Sequence, residues 1–414
     1  MRCKECGAET EADASFVCEQ CFGPLEVRYD FTGLDPDEAR RRIQAGSSGI
    51  WRYADFLPVG SSTRDPLEPG LTPLIRAERL AERLGLDADI RIKNDAANPT
   101  HSFKDRVVSV ALARAKELGF TTVACASTGN LANAVAAHAS AAGLESFVFV
   151  PADLEEQKLL ATGAYGTRLI GVRGSYDDVN RLCTELSQSR PWAFVNVNLR
   201  PYYAEGSKTL AYETVEQLGW QLPDRIVCPV ASGSLFTKIG RGMSEWLELG
   251  LVDGELPRFC GAQAEGCSPV ATAFADGEEV CRPQRPNTIA KSLAIGDPAD
   301  GVYALELARK TDGSITGVTD EEIRDGISLL AETTGVFTET AGGVTVAALR
   351  RLAESGAISD GETVIVYITG DGLKTLDATR DRFEMAEIDP DVGSFETEVA
   401  AEQAGLEAAP VASA

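Results

Sequence analysis

The chain has 414 residues with a hydrophobic content of 44%, which is enough for about two or three globular units. A formal net charge of −24 argues against nucleic acid as a partner, because neutralising phosphates requires a basic face. No run of about 18 apolar residues is present to cross a membrane. Met1 is followed by Arg2, Cys3 and Lys4 and then by polar residues, so no secretory signal is expected and the expected location is cytoplasmic.

Residues 1–30 read as a small unit of their own. Cys3 and Cys6, then eleven residues, then Cys18 and Cys21 form two paired knuckles, and four thiolates at this spacing suit one tetrahedral zinc site. Such a site is closed, so its expected role is structural. Glu5, Glu9, Glu11, Asp13 and Glu19 give it an acidic surround that argues against phosphate contact. A strand is expected around Leu25 to Tyr29. The other six cysteines are scattered and read as small buried hydrophobes. Residues 31–72 form an arm: a helix over Pro36 to Ala45 that Asp35 can cap, then breaker-rich joints at Asp65-Pro66 and Pro69-Gly70.

Beyond the arm, apolar strand-like runs alternate with helical patterns. The runs are Ile90 to Lys93, Thr122 to Ala126, Phe147 to Val150, Thr167 to Val172, Arg225 to Val230 and Thr363 to Thr369. This alternation predicts an α/β fold with parallel-rich sheets flanked by helices. From Ala386 the chain is Glu, Ala, Gly and Pro with few aromatics, and its last fifteen or so residues are expected to be disordered.

Four strand-to-helix junctions carry the candidate chemistry. Asn98 to Arg106 places Lys104 beside Phe103, ahead of a helix expected from about Val107 to Leu118. Partial desolvation there lowers an amine's pKa and readies it for carbonyl chemistry. Ser127-Thr128-Gly129-Asn130 opens the next helix, either as an anion site on free N–H groups or as an ordinary N-cap by Thr128 or Asn130. Ala231-Ser232-Gly233-Ser234-Leu235 is a small-residue turn able to cradle a phosphate. Ile365 to Lys374 is a buried strand ending in Thr369 and two glycines.

In this order, and with Gly70 to Leu74 and Glu205 to Thr209, the four junctions resemble the fold type II pyridoxal phosphate enzymes and, within them, the threonine synthases. The resemblance runs from about residue 1 to residue 380, since a four-cysteine ribbon precedes the catalytic region in threonine synthases of this short type. It implies that Lys104 carries pyridoxal 5′-phosphate and shuttles protons, with Phe103 beside it. It implies further that Asn130 bonds the cofactor's 3′ oxygen, Ala231 to Leu235 hold its phosphate, and Thr369 faces the pyridine nitrogen. Ser127 to Asn130 with Ser102 would take the substrate carboxylate, and Lys158 and Arg200 its phosphate. The implied layout is a large cofactor domain of residues 73–105 and 206–385, a small substrate domain of 106–205, and a tail of 386–414. A homodimer acting on a small phosphorylated amino acid is expected.

The implied reaction converts O-phospho-L-homoserine and water to L-threonine and phosphate. A hydroxyl at Thr369 cannot hold the ring nitrogen protonated, which disfavours transamination and suits elimination and replacement. Departures from the family pattern are His101 where glycine is common, Ala231-Ser232 for Gly-Asn, and Arg200-Pro201-Tyr202-Tyr203 in the segment that grips substrate phosphate. The nearest rival is a sister β-replacement enzyme acting on O-phosphoserine, differing around Arg200, Tyr202, Lys158 and His101. A serine or threonine dehydratase is a further rival.

Overall fold

Strands β1 (Arg2–Cys3) and β2 (Leu25–Glu26) pair antiparallel and bring the two cysteine pairs together. The expected strand to Tyr29 is thus only two residues long. These coordinates are a computed structural model, which describes residues 1–400 other than 65, 155, 175 and 399. The expected disorder of the extreme C-terminus concerns residues outside that set.

The remaining strands are β3 (Leu74–Arg76), β4 (Asp89–Asn94), β5 (Thr122–Ala126), β6 (Glu145–Pro151), β7 (Arg168–Val172), β8 (Ala193–Phe194), β9 (Arg225–Pro229), β10 (Arg258–Ala264), β11 (Ser314–Val318) and β12 (Thr363–Ile368). They form a six-stranded sheet ordered β11-β10-β9-β12-β4-β3 and a four-stranded sheet ordered β7-β6-β5-β8. All neighbours are parallel except β3 and β4. Parallel strands covered on both faces read as continuous apolar runs, and every residue of β5 and β9 is buried. β7 lies at a sheet edge, is largely exposed and starts at Arg168, and a charge there blunts edge-to-edge pairing.

The helix Lys104–Glu117 is buried on nearly all sides, with Val107, Val108, Val110, Ala111, Leu112, Ala113 and Ala115 in the core. A helix buried on nearly all sides belongs between layers. The helix Pro36–Gln44 starts where Asp35 accepts the Glu38 amide at 2.9 Å, as the sequence predicts. Cys125, Cys183, Cys228, Cys260 and Cys267 are buried and Cys281 is half-buried, all as free thiols. Residues Met1–Ala378 pack as one unit. In the part from Thr379, residues 392–398 are helical. Among the described residues no helix is long and apolar enough to cross a membrane.

Candidate active site

Four chain segments that leave the carboxyl ends of β4, β5, β9 and β12 carry the candidate residues, the place where open parallel sheets bind ligands. After β4 the chain turns through residues 95–103 and enters the helix at Lys104, three residues earlier than the sequence pattern predicts. The apolar periodicity starts only at Val107, so the polar first turn leaves no trace in it. The turn is laid against the end of β12: Phe103 N donates to Thr369 O at 3.0 Å, Asp371 N donates to His101 O at 3.1 Å, and Ser102 bridges to Gly370. His101 has φ 62, the left-handed region that glycine enters without strain, which accounts for glycine being common there.

The helix start is held by two buried charge clusters. Asp105 accepts from Thr100 N at 2.8 Å and Thr100 Oγ1 at 2.7 Å, and pairs with His138 Nε2 at 2.8 Å. Arg106 donates to Asp95 at 2.8 and 2.9 Å and to Glu213 at 2.8 and 2.9 Å. Glu213 also bonds Lys93. Two cations and two carboxylates, all essentially without solvent exposure, thus balance each other. A buried bidentate pair of this kind fixes orientation strongly, here two residues from Lys104.

The half-buried Lys104 ammonium donates to Tyr203 Oη at 2.6 Å and lies 4.5 Å from the centre of the Phe103 ring. Tyr203, on the helix Arg200–Gly206, was not singled out by the sequence, whereas Tyr202 was. Adjacent helical residues point about 100° apart. Tyr202 instead is buried and donates to Asp13 O of the cysteine ribbon at 2.8 Å, so it does not line a pocket with Lys104.

At the end of β5, the helix Asn130–Ala142 begins after Gly129 without any side-chain cap. The ordinary N-cap reading for Thr128 or Asn130 therefore fails, and the first-turn N–H groups remain for a ligand. Asn130 Nδ2 donates to both oxygens of Glu339 at 3.0 Å. Burial pushes the Glu339 carboxyl up, against the pull of Lys374, the Asn130 amide and Lys104. A side chain at Gly370 would put its Cβ 2.4 Å from Glu339 Oε1, so only glycine lets β12's exit pass this close. Lys374 Nζ donates to Thr100 O at 2.7 Å, and burial lowers its pKa.

After β9, the turn 231–235 leads into the helix Ser234–Glu248 through Gly233 at φ 98, again with no side-chain cap. Asp300 closes it from outside: its N–H donates to Ser232 O at 2.8 Å, and its carboxylate accepts from an Arg200 terminal nitrogen at 2.9 Å. Lys158 lies half-buried on the helix Glu156–Gly163, which meets the Asn130 helix where Thr162 Oγ1 donates to Asn133 Oδ1 at 3.1 Å. Thr369 and Ser127 are buried. Ser102 is wholly buried, yet its Oγ has no hydrogen-bond partner among the described residues.

An orphaned hydroxyl, two uncapped helix starts and a partly desolvated lysine suit an anionic carbonyl cofactor. A family model described as pyridoxal-phosphate dependent enzyme matches residues 66–370. The chain belongs to that family. Within it the sequence falls among the threonine synthases. That of Methanocaldococcus jannaschii is 36% identical over 381 residues, 91% of this chain and 93% of the relative. That of Methanosarcina acetivorans is 38% identical over 380 residues, 90% and 92% of the two chains. The structure of maize serine racemase superposes with a TM-score of 0.64 at 18% identity, covering 90% of this chain and 98% of the other. This shows the common fold, the fold type II architecture that the sequence motifs imply.

In the ribbon the Sγ atoms of Cys3, Cys6, Cys18 and Cys21 all lie within 4.8 Å of one another. Cys3 and Cys21 are 3.5 Å apart and Cys6 and Cys18 3.7 Å. A tetrahedron with metal–sulfur bonds near 2.3 Å has edges of about 3.8 Å, so the four thiols fit a closed metal centre.

Proposed function

We propose that this chain is an enzyme of threonine formation, converting O-phospho-L-homoserine and water to L-threonine and phosphate. The reading is supported by the placing of Lys104, whose turn is laid against the end of β12 and whose ammonium meets Tyr203, in a chain similar to threonine synthases along nearly its whole length. Pyridoxal phosphate, when bound, supplies an electron-withdrawing ring that acidifies the substrate's α carbon.

The chain's own residues do the rest. The amides of Ala231, Ser232, Gly233, Ser234 and Leu235 hold the cofactor phosphate at the helix start. Asn130, oriented by Glu339, donates its second amide hydrogen to the ring's 3′ oxygen. Thr369 offers the pyridine nitrogen a neutral hydroxyl. Lys104 Nζ, positioned by its hydrogen bond to Tyr203, takes and returns protons at the substrate's α and β carbons. Ser102 and the Ser127 to Asn130 loop bind the substrate carboxylate, while Arg200 and Lys158 orient the leaving phosphate. The sixfold sheet with residues 73–105 and 206–385 forms the cofactor domain, and residues 106–205 the substrate domain. Zinc fills the four-cysteine centre, and the enzyme works as a cytoplasmic homodimer.

The test is to load the purified protein with pyridoxal phosphate and follow absorbance and products. The expected result is a visible cofactor band lost in Lys104→Ala, with threonine and phosphate formed from O-phosphohomoserine and not from O-phosphoserine. Turnover of O-phosphoserine alone, or no cofactor band in the unaltered protein, would overturn the proposal.

A further inference from the structure

Lys4 and Glu5, the two residues between the first pair of ribbon cysteines, reach away from the sulfur cluster to the main body. Lys4 Nζ lies 3.7 Å from Asp300 Oδ1 and 3.9 Å from the centre of the Tyr303 ring. Glu5 accepts from Tyr303 Oη at 2.5 Å. Asp300 is the junction. Its amide bonds Ser232 O at 2.8 Å, and its carbonyl oxygen sits so near Gly233 that a Cβ there would be 2.6 Å away. Its second carboxylate oxygen accepts from Arg200 at 2.9 Å. The other ribbon strand makes a parallel link: Glu26 accepts from Lys238 Nζ at 2.6 Å, and Lys238, early in the Ser234 helix, also donates to Glu205 at 2.6 Å on the helix carrying Arg200 and Tyr203.

The electrostatics give these links a purpose. Asp300 places a carboxylate, only 10% exposed, against the turn read above as the cradle of an anionic phosphate. Uncompensated, that charge repels the anion, and among the described residues Lys4 of the ribbon and Arg200 are the cations paired with it. A ribbon of some thirty residues with one two-residue strand pair has little core of its own beyond Met1, Cys3, Cys18 and Leu25, which pack with Val107, Val108 and Leu112, so a metal joining its four cysteines adds the cross-link that fixes the Lys4–Glu5 turn.

We propose that the four-cysteine centre is a positioning element of the active site: with metal bound, it holds Lys4 on Asp300, which neutralises the outer wall of the phosphate turn and steadies Arg200. The inference rests on the cofactor reading of residues 231–235.

It is tested in the full-length protein with Lys4→Met, which keeps all four cysteines. Metal content is measured, and pyridoxal phosphate is titrated into the apoprotein by absorbance. The expected result is unchanged metal with cofactor affinity weakened about tenfold, the factor that roughly 1.4 kcal/mol produces, and more so at low ionic strength. The double variant Lys4→Met/Asp300→Asn regains affinity to within about threefold because the repelling charge is gone. Arg28→Ala, which removes an exposed ion pair inside the ribbon, leaves affinity unchanged. Lys4→Met with full metal and unaltered affinity would overturn the inference alone, as would a double variant no better than the single. Unaltered protein that binds no cofactor would overturn the cofactor reading and this inference together.

Discussion

Glu213→Gln removes one negative charge from the cluster that seats the Lys104 helix while keeping side-chain volume. The carboxylate accepts from Leu71 N and Thr72 N at 2.7 Å each, from Arg106 at 2.8 and 2.9 Å, and from Lys93. In the variant two fully buried cations face Asp95 alone, and the new amide turns hydrogens toward existing donors. Breaking a buried pair from one side costs about 3–5 kcal/mol. At about 2.1 cal/mol/K per residue, a unit of this size unfolds with an entropy of roughly 0.8 kcal/mol/K, so the melting point falls by about 5 °C. The sign with pH follows from the same contacts. Burial alone would raise the Glu213 carboxyl, but Arg106 and Lys93 hold it well below the usual carboxylate range. Its contribution is therefore present above the unfolded value, near pH 4.3, and fades as pH falls. Urea unfolding of both proteins at pH 7 and pH 3 measures it. A gap below about 1 kcal/mol at pH 7, or one that does not shrink at pH 3, would refute the reasoning.

Three further outcomes are expected. Burial alone would raise Glu205, but Lys208 and Lys238 hold it at about 2; its few kcal/mol should be lost between roughly pH 4.5 and 2, and Glu205→Gln should flatten that acid limb in a fluorescence-monitored titration. Gly370→Ala drives a Cβ into Glu339 Oε1, which should cost about 1–3 kcal/mol in thermal unfolding and weaken cofactor binding by displacing the Asn130 amide. His101→Gly relieves a left-handed backbone at φ 62, so it should leave stability unchanged or raise it by up to about 1 kcal/mol, read as the urea midpoint.

The fold was legible where burial writes itself as composition. β5, β9 and β12 are apolar runs because both faces are covered, and the alternation with helices follows from parallel pairing. The lysine and its neighbours were legible as motifs at strand ends. What escaped depends on distances that sequence order does not carry. Glu339 reads as an acidic residue before a helix, a common stabilising feature, and only the fold brings it to Asn130, 209 residues away. Tyr203 and Tyr202 are indistinguishable until the short helix assigns one to Lys104 and the other to the ribbon. Asp300 sits in a loop with no motif at all.

Hydrogen-bond completeness separates the two buried polar groups that flank Lys104. Around Arg106, each cation meets two carboxylates or a carboxylate and neutral acceptors, so the cluster is satisfied within itself and serves to seat the helix. On the opposite side, Ser102 Oγ is buried without a described partner, and Glu339 is held by a neutral amide with its carboxyl pushed up by burial. A buried hydroxyl left without a partner costs about 1–3 kcal/mol, a cost that a bound carboxylate at Ser102 would offset. On the proposed reading the incomplete side receives the ligand, and the complete side keeps the Lys104 helix in place to meet it.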